Sequence, residues 1–243
     1  IIYGCQRSFD RISCYEFDNK VIETTDALNF PGTVGIIHSR PDNNLQSHAH
    51  PFTSEDGLLA AVLNGTLRDV QSPEFCEAVN SLMAGFRQRG FTLKTACSPQ
   101  EAVPRGRLLP DGRTYHYSEA LTLMLGDLVS ASGEETIRED LAKAMVKTLS
   151  AAPADIVMLA VHAMAEDTVT TGVITRPMNA GFGEGETYLA TSAIAFPDEI
   201  QKNPILPLPP TSVAQISPKG LNMYTTTLSG VRSEQINARI AGE

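Results

Sequence analysis

Side chains able to bind or transform a small molecule are concentrated between residues 32 and 52. Three of the five histidines, His38, His48 and His50, lie in this segment together with Arg40. Histidine imidazoles act as general bases or bind zinc, and a guanidinium binds a carboxylate through two parallel hydrogen bonds. The segment is therefore compatible with a metal site, a catalytic base or a substrate clamp.

A zinc site built from His38, His48 and His50 is one interpretation of this segment. His48 and His50 are two residues apart, so they would share one face of an extended strand. Their spacing, however, matches no standard zinc-binding pattern. We therefore expect no bound metal.

The elements that must position these side chains are predicted from hydrophobic periodicity. The runs "VGIIH" (34–38) and "LLAAVLN" (58–64) are short, apolar and bounded by turn residues, as is typical of buried strands. Helical spacing and end signals predict three helices, over 72–90, 118–131 and 134–150. In the second half of the chain we predict strands over 156–162, 168–175, 187–195, 212–216 and 221–228.

The order of strands, helices and strands is typical of layered sheets with helices outside. Short turns separate several of the predicted strands, which indicates antiparallel neighbours. The "GFGEG" segment (181–185) precedes a strand instead of opening a helix, so we interpret it as a hairpin turn and not as a dinucleotide-binding loop.

Composition excludes several classes of function. The 243 residues carry 19 basic and 28 acidic side chains, a net charge of −9, which disfavours a general nucleic-acid binder. No apolar run is long enough for a membrane helix. None of the four cysteines is in a Cys-x-x-Cys pair, and no secretory signal is recognisable, so we expect reduced, inert thiols and a cytoplasmic location.

The order of the motifs resembles a known family. "GIIHSR" (35–40), "HAHPF" (48–52) and "LLAAVLNG" (58–65) are similar to segments of the glutaminase domain of class II glutamine amidotransferases, in particular the glucosamine-6-phosphate synthase family. In that family a strand ends in His-Thr-Arg-Trp-Ala-Thr-His-Gly, and Asn-Ala-His-Pro and an apolar strand ending in Asn-Gly follow. Further similar segments, in the same order, are 7–18, 117–128 and 176–196.

The resemblance implies an N-terminal-nucleophile (Ntn) hydrolase fold. This is an α+β fold with four layers, αββα, in which two antiparallel sheets lie between helices. The similar segments cover nearly all of residues 1–228. We therefore predict one amidotransferase-like domain over residues 1–230 and a C-terminal tail over residues 231–243.

The resemblance also implies roles for individual residues. In the family, a cysteine at the first position attacks the glutamine amide and its own α-amino group is the base. Asn64 and Gly65 match the residues that stabilise the oxyanion, and Arg40 matches the residue that binds the glutamine carboxylate. His50 matches a buried structural position. Alternatively, Asn64 and Gly65 form a hairpin turn and Arg40 an ordinary surface ion pair.

Three departures from the family pattern bear on activity. The family begins Cys-Gly-Ile-Val-Gly, so its nucleophile would fall two residues before Ile1, and Cys5 cannot replace it. The loop after Arg40 has a different sequence. The aspartate that binds the substrate ammonium falls on Leu121, which cannot pair with a charge, while Glu119 would point elsewhere.

Two functions remain open on these residues. If a cysteine precedes Ile1, the resemblance implies an enzyme that hydrolyses the glutamine side-chain amide and releases ammonia without a cofactor. Otherwise the fold serves as an inactive structural or binding module in a larger assembly. Expected partners are glutamine or a related small molecule, and a second protein or a second copy of the chain. Because of Leu121 we predict weak or absent glutamine binding.

Overall fold

The computed structural model describes residues 2–8, 11–17, 34–39, 50–66, 81, 83–91, 93–96, 107–108, 113–151, 155–217, 220–227 and 230–236. The strands in the first half are β1 (Ile2–Ser8), β2 (Arg11–Phe17), β3 (Gly35–Ser39), β4 (Phe52–Thr53), β5 (Leu59–Thr66), β6 (Arg107–Leu108) and β7 (Thr114–Tyr115). Those in the second half are β8 (Asp155–His162), β9 (Val169–Val173), β10 (Asn179–Gly183), β11 (Glu186–Ala190), β12 (Leu206–Pro207), β13 (Ser212–Ser217), β14 (Gly220–Thr227) and β15 (Gly230–Ile236). The helices are residues 83–88 (α1), α2 (Tyr117–Val129), α3 (Ile137–Ala151) and α4 (Asp198–Gln201).

Antiparallel sheets form the centre of the molecule. The larger sheet has seven strands in the order β15-β14-β13-β9-β8-β5-β4. Strands β2-β1-β3 and β11-β10-β12 form two three-stranded sheets, and side chains of β3, β10, β11 and β12 share one core with the inner face of the larger sheet. Helices α2 and α3 pack on its outer face. The predicted α+β class and the facing antiparallel sheets are confirmed.

The alternation of side chains along the strands explains why the larger sheet is buried on both faces. In β5, Leu59, Ala61 and Leu63 belong to the core beneath the helices, whereas Ala60 and Val62 belong to the core between the sheets. Successive residues of a strand point to opposite faces, so a continuous apolar run is what a strand covered on both sides requires.

Helix α2 is buried along most of its length because it packs against β4 and β5 of the sheet and against its neighbour α3. Its first turn is capped by His116, whose Nδ1 accepts a hydrogen bond from the Ser118 N–H at 3.3 Å. Gly126 allows close contact with the turn after β4, since a Cβ there would lie 2.4 Å from Ser54 Cβ. Among the described residues, no helix has the length and hydropathy needed to cross a membrane.

Several boundaries differ from those expected from the sequence. Helix α3 begins at Ile137 instead of 134, because residues 134–136 form a turn that starts at Gly133. The strand predicted over 187–195 ends at Ala190 and is followed by a 3-10 turn over Ala193–Ala195. The sheet also continues past residue 230, since β15 pairs with β14 along its whole length.

The phenol of Tyr117 gives the fold a dependence on alkaline pH. Burial, and secondarily the Asp155 carboxylate, raise its pKa above the ordinary value of about 10, although Arg176 acts in the opposite direction. A raised pKa favours the neutral phenol in the folded state, so this stabilisation is complete below about pH 10 and is lost as the pH rises further. We expect the free energy of unfolding to fall above pH 10 by up to about 1.4 kcal/mol per pH unit more steeply in the native protein than in Tyr117→Phe. Denaturant titrations at a series of pH values test this, and parallel curves for the two proteins would contradict it.

Candidate active site

A cavity of about 140 Å³ opens between the two layers of sheet. It is bounded by β3 on one side, by β5 and β8 on another, and by residues next to β10 and β11. Its lining residues are Ile37, His38, Val62, Leu63, Asn64, Val157, Leu159, Met178 and Thr191. The cavity therefore combines aliphatic walls with three polar side chains, one of which is the predicted oxyanion-binding residue Asn64.

Asn64 and Gly65 lie inside strand β5, opposite Val157 and Ile156 of β8. The alternative that they form a hairpin turn is wrong, because β5 continues to Thr66 in unbroken register with β8. The even-numbered positions Ala60 and Val62 face the core between the sheets. Asn64 has the same parity, so its exposed side chain lies on the same face, at the cavity.

The direction of the Gly65 backbone groups follows from two hydrogen bonds. In an antiparallel strand, the N–H and C=O of one residue point to the same neighbouring strand, and those of the next residue point the other way. The Leu59 carbonyl accepts from the Ser54 N–H at 2.9 Å, on the β4 side, so odd-numbered residues of β5 point away from β8. Ile156 lies opposite Gly65 on β8, and its carbonyl accepts from the Ile174 N–H at 3.0 Å, on the side of β8 away from β5. The backbone groups of this pair therefore point away from each other, in agreement with the direction inferred for the odd-numbered residues of β5.

The Gly65 N–H therefore points to the edge of β5 opposite β8. On that edge the described strand β4 pairs with Ala60 and Ala61 only, several residues before Gly65. Asn64 and Gly65 thus place a carboxamide and a backbone N–H next to each other at a strand edge beside a cavity. Two such donors are the chemical components of an oxyanion hole.

Gly65 is also required by the packing of the sheet. Its φ of +143° is one that residues with a side chain rarely adopt. A Cβ at this position would lie 2.0 Å from the Asp155 carbonyl oxygen and 2.7 Å from Ile156 Cα. The packing of β5 against β8 therefore requires glycine at position 65, independently of any role of its N–H in binding an oxyanion.

A cluster of aromatic rings extends from the cavity to the start of α2. The His38 ring lies 4.2 Å from that of His50, and His50 lies 4.9 Å from Phe52 and 5.7 Å from His116, as measured between ring centroids. His116 in turn stacks on Tyr117. His50 is buried. His116 could not be predicted as a member of this cluster, because 66 residues separate it from His50 and no local pattern in the sequence connects them.

Zinc binding and carboxylate binding both involve residues of the segment that follows β3. His48 and Arg40 lie outside the described residues. Within the described part of the chain, no group of three or more histidine, cysteine, aspartate or glutamate side chains has the arrangement of a metal site. His38 and His50 contact each other ring to ring. That arrangement indicates packing of the two imidazoles against each other.

Glu119 and Leu121 both lie at the start of α2 and both are buried. The Glu119 carboxylate accepts hydrogen bonds from the backbone N–H of Lys94 at 2.8 Å, the N–H of Thr95 at 3.0 Å and the Thr95 hydroxyl at 2.6 Å. It therefore holds the 93–96 loop against α2. Leu121 is fully buried in the core beneath the helices, whereas most of the cavity's aliphatic walls belong to the core between the sheets.

Comparisons with known proteins support the fold assignment. No protein-family model matches the sequence, and no curated protein sequence is significantly similar to it. Among solved structures, the chain is similar to glutamine phosphoribosylpyrophosphate (PRPP) amidotransferase from B. subtilis, at 17% identity and a TM-score of 0.51. It is also similar to an allosteric regulatory enzyme of purine biosynthesis, at 15% identity and a TM-score of 0.54. Each of these matches covers 98% of this chain and 43% of the other.

A third similar structure is a glutamine aminotransferase class-II domain protein from Silicibacter pomeroyi, at 12% identity and a TM-score of 0.50. This match covers 96% of this chain and 90% of the other. The chain thus spans less than half the length of the first two proteins and nearly the whole of the third. The resemblance inferred from the sequence is confirmed at the level of the fold: the chain has the α+β, Ntn-hydrolase-like fold of class II glutamine amidotransferase domains.

Proposed function

We propose that this domain hydrolyses a primary carboxamide by the class II amidotransferase route, with the glutamine side-chain amide as the reference substrate. The observation that supports this most is the position of Asn64 and Gly65, whose side-chain amide and backbone N–H lie together at the cavity edge. The nucleophile in this proposal is a cysteine two residues before Ile1. Arg40 binds a substrate carboxylate.

The proposed reaction has two halves. The cysteine thiolate attacks the amide carbon, a C–S bond forms, and the carbonyl electron pair moves to oxygen as an oxyanion. Asn64 and Gly65 donate hydrogen bonds to that oxyanion, where charge develops in the transition state. The C–N bond then breaks, ammonia leaves with a proton from the cysteine α-amino group, and water hydrolyses the thioester to regenerate the thiolate.

The Asn64→Ala variant tests this role. Removing one oxyanion donor typically lowers kcat by about 10²- to 10³-fold. We expect this loss in ammonia release by the native protein, once intact mass and N-terminal sequencing have established a terminal cysteine. Gln88→Ala is the matched control, since it removes an exposed carboxamide from α1, away from the cavity. Equal activity of Asn64→Ala and the control would contradict the oxyanion role.

The alternative proposal is an inactive module, and the position of Leu121 favours it. The family places an aspartate here for the substrate ammonium, but in this chain the position is fully buried among apolar side chains. A mature N-terminus at Ile1 would remove the nucleophile and support this alternative. An N-terminal cysteine with measurable ammonia release would exclude it.

The destination of the ammonia is proposed from the length of the chain. The PRPP amidotransferase and the allosteric enzyme of purine biosynthesis both extend well beyond the part that this chain matches. We place the acceptor site on another polypeptide or on a segment outside residues 1–243. A cytoplasmic location suits this proposal, because the reducing conditions there keep thiols from forming disulfides.

A further inference from the structure

We infer that the cavity beside Asn64 takes the uncharged aliphatic chain of a short primary amide in preference to a zwitterionic amino acid. This inference rests on the proposed function for one point only, the position of the carboxamide at Asn64 and Gly65. The selectivity itself follows from the walls, the volume and the charge of the cavity.

The walls of the cavity are aliphatic at its inner end. Val62 of β5 lies opposite Leu159 of β8, and Val157 lies two residues before Leu159 on the same face of β8. Met178 covers this surface from the second layer, and Val62, Val157 and Met178 are buried members of the core between the sheets. Leu159 continues this surface along β8. An alkyl chain placed there exchanges water for apolar contacts, which favours binding by about fourfold for each buried methylene.

The volume limits the ligand to a small one. A cavity of about 150 Å³ with apolar walls binds benzene, which has six heavy atoms. The present cavity is similar, at about 140 Å³. Pentanamide has seven heavy atoms and only its amide group needs polar partners. Glutamine has ten, and both ends of its backbone part are charged at neutral pH.

The charge of the cavity disfavours the ammonium end in particular, since the proposed partner of the carboxylate, Arg40, lies outside the described residues. None of the described lining residues is an acidic or a basic side chain with a permanent charge, and the polar ones are Asn64, His38 and Thr191. Asp155 and Arg176, at the start of β8 and after β9, pair with each other at 3.2 Å. An ammonium group buried there without an opposite charge loses its hydration and weakens binding strongly, whereas a methyl group at the same place carries no such penalty.

The three polar residues indicate the orientation of the ligand. They lie on β3, near the end of β5 and just after β11, and all three are more exposed than Val62, Val157 and Met178, which are buried. The polar residues therefore surround the mouth of the cavity, and the three apolar ones lie deeper. An amide group at the mouth therefore meets Asn64, and its alkyl chain extends inward over the aliphatic walls.

The experiment compares the binding of pentanamide and glutamine to the full-length native protein by isothermal calorimetry. We expect pentanamide to bind at least tenfold more tightly than glutamine. Leu159→Ala should weaken pentanamide binding several-fold, because Leu159 is a partly buried part of the wall. Ile194→Ala is the control, since its side chain is 82% exposed and does not line the cavity. Thr191→Val, at the mouth, preserves side-chain volume and is a second variant in case Leu159→Ala unfolds. It should also change the affinity for pentanamide.

The outcomes for binding and for catalysis are separate. Glutamine binding as tightly as pentanamide, or no binding of either ligand, would overturn the inference. So would equal pentanamide affinity in the native protein and in both cavity variants. Ammonia release is measured in parallel: selective pentanamide binding without hydrolysis of any amide refutes the proposed function while leaving the inferred selectivity intact.

Discussion

Replacing Leu121 by aspartate is expected to cost about 5 kcal/mol or more of folding free energy. The side chain is fully buried beneath the helices, in a cluster that includes Leu63 of β5 and Leu141 of α3. Leu121→Asp removes these contacts and leaves a carboxylate there without a basic partner among the members of the cluster. Equilibrium unfolding in urea, or failure to obtain folded protein, is the measurement.

Leu128→Asp is the matched control, because Leu128 lies on the same helix but is 43% exposed. We expect this control to unfold within about 1 kcal/mol of the native protein. The alignment with the family predicts a different result for Leu121→Asp, namely a folded protein with a higher affinity for glutamine. A stable Leu121→Asp variant that binds glutamine more tightly than the native protein would show that Leu121 faces the substrate.

Hydrophobic patterning predicted well the strands and helices whose buried apolar residues recur at a regular spacing. Strands β5 and β8 and helices α2 and α3 were predicted to within a few residues. Their apolar residues recur at periods of two or 3.6, and burial against another layer stabilises that same period. The motif order then predicted the fold that the structural comparison confirmed.

Strand β10 was missed because its stability comes from contacts distant in the sequence. It contains Gly181 and Gly183, which have little intrinsic preference for a strand. A Cβ at Gly181 would lie 2.6 Å from the Ile200 side chain of α4, and a Cβ at Gly183 would lie 2.5 Å from it. Glycine is therefore needed to let α4 pack on the strand, and local propensity cannot report such a requirement.

The candidate site was predicted in its parts and not in its arrangement. Asn64 and Gly65 were identified from the motif, but the direction of the Gly65 N–H depends on the pairing of β5 with β4 and β8. His116 joins His50 only because α2 packs beside β4. The local spacing of residues does not determine the strand register or the packing between distant segments.

The second large effect is expected from Gly65→Ala, which should destabilise the fold by about 3 kcal/mol or more. Two costs act at the same position. The φ of +143° disfavours a residue with a Cβ by about 1–3 kcal/mol. The added methyl would lie 2.0 Å from the Asp155 carbonyl oxygen, so β5 and β8 must separate locally, and such overpacking costs about 1–3 kcal/mol more.

Gly57→Ala separates these two costs. Gly57 also has a positive φ, of +72°, but a Cβ there meets no atom within 4 Å. We expect Gly57→Ala to show the backbone cost alone, about 1–2 kcal/mol, and therefore a clearly higher free energy of unfolding than Gly65→Ala in the same urea titration. Hydrogen exchange adds a local readout, because only Gly65→Ala should reduce the protection of backbone amides at the start of β8. If the two variants were equally stable and equally protected, the close approach of Gly65 to β8 would be refuted, and with it the strand register that places Asn64 at the cavity.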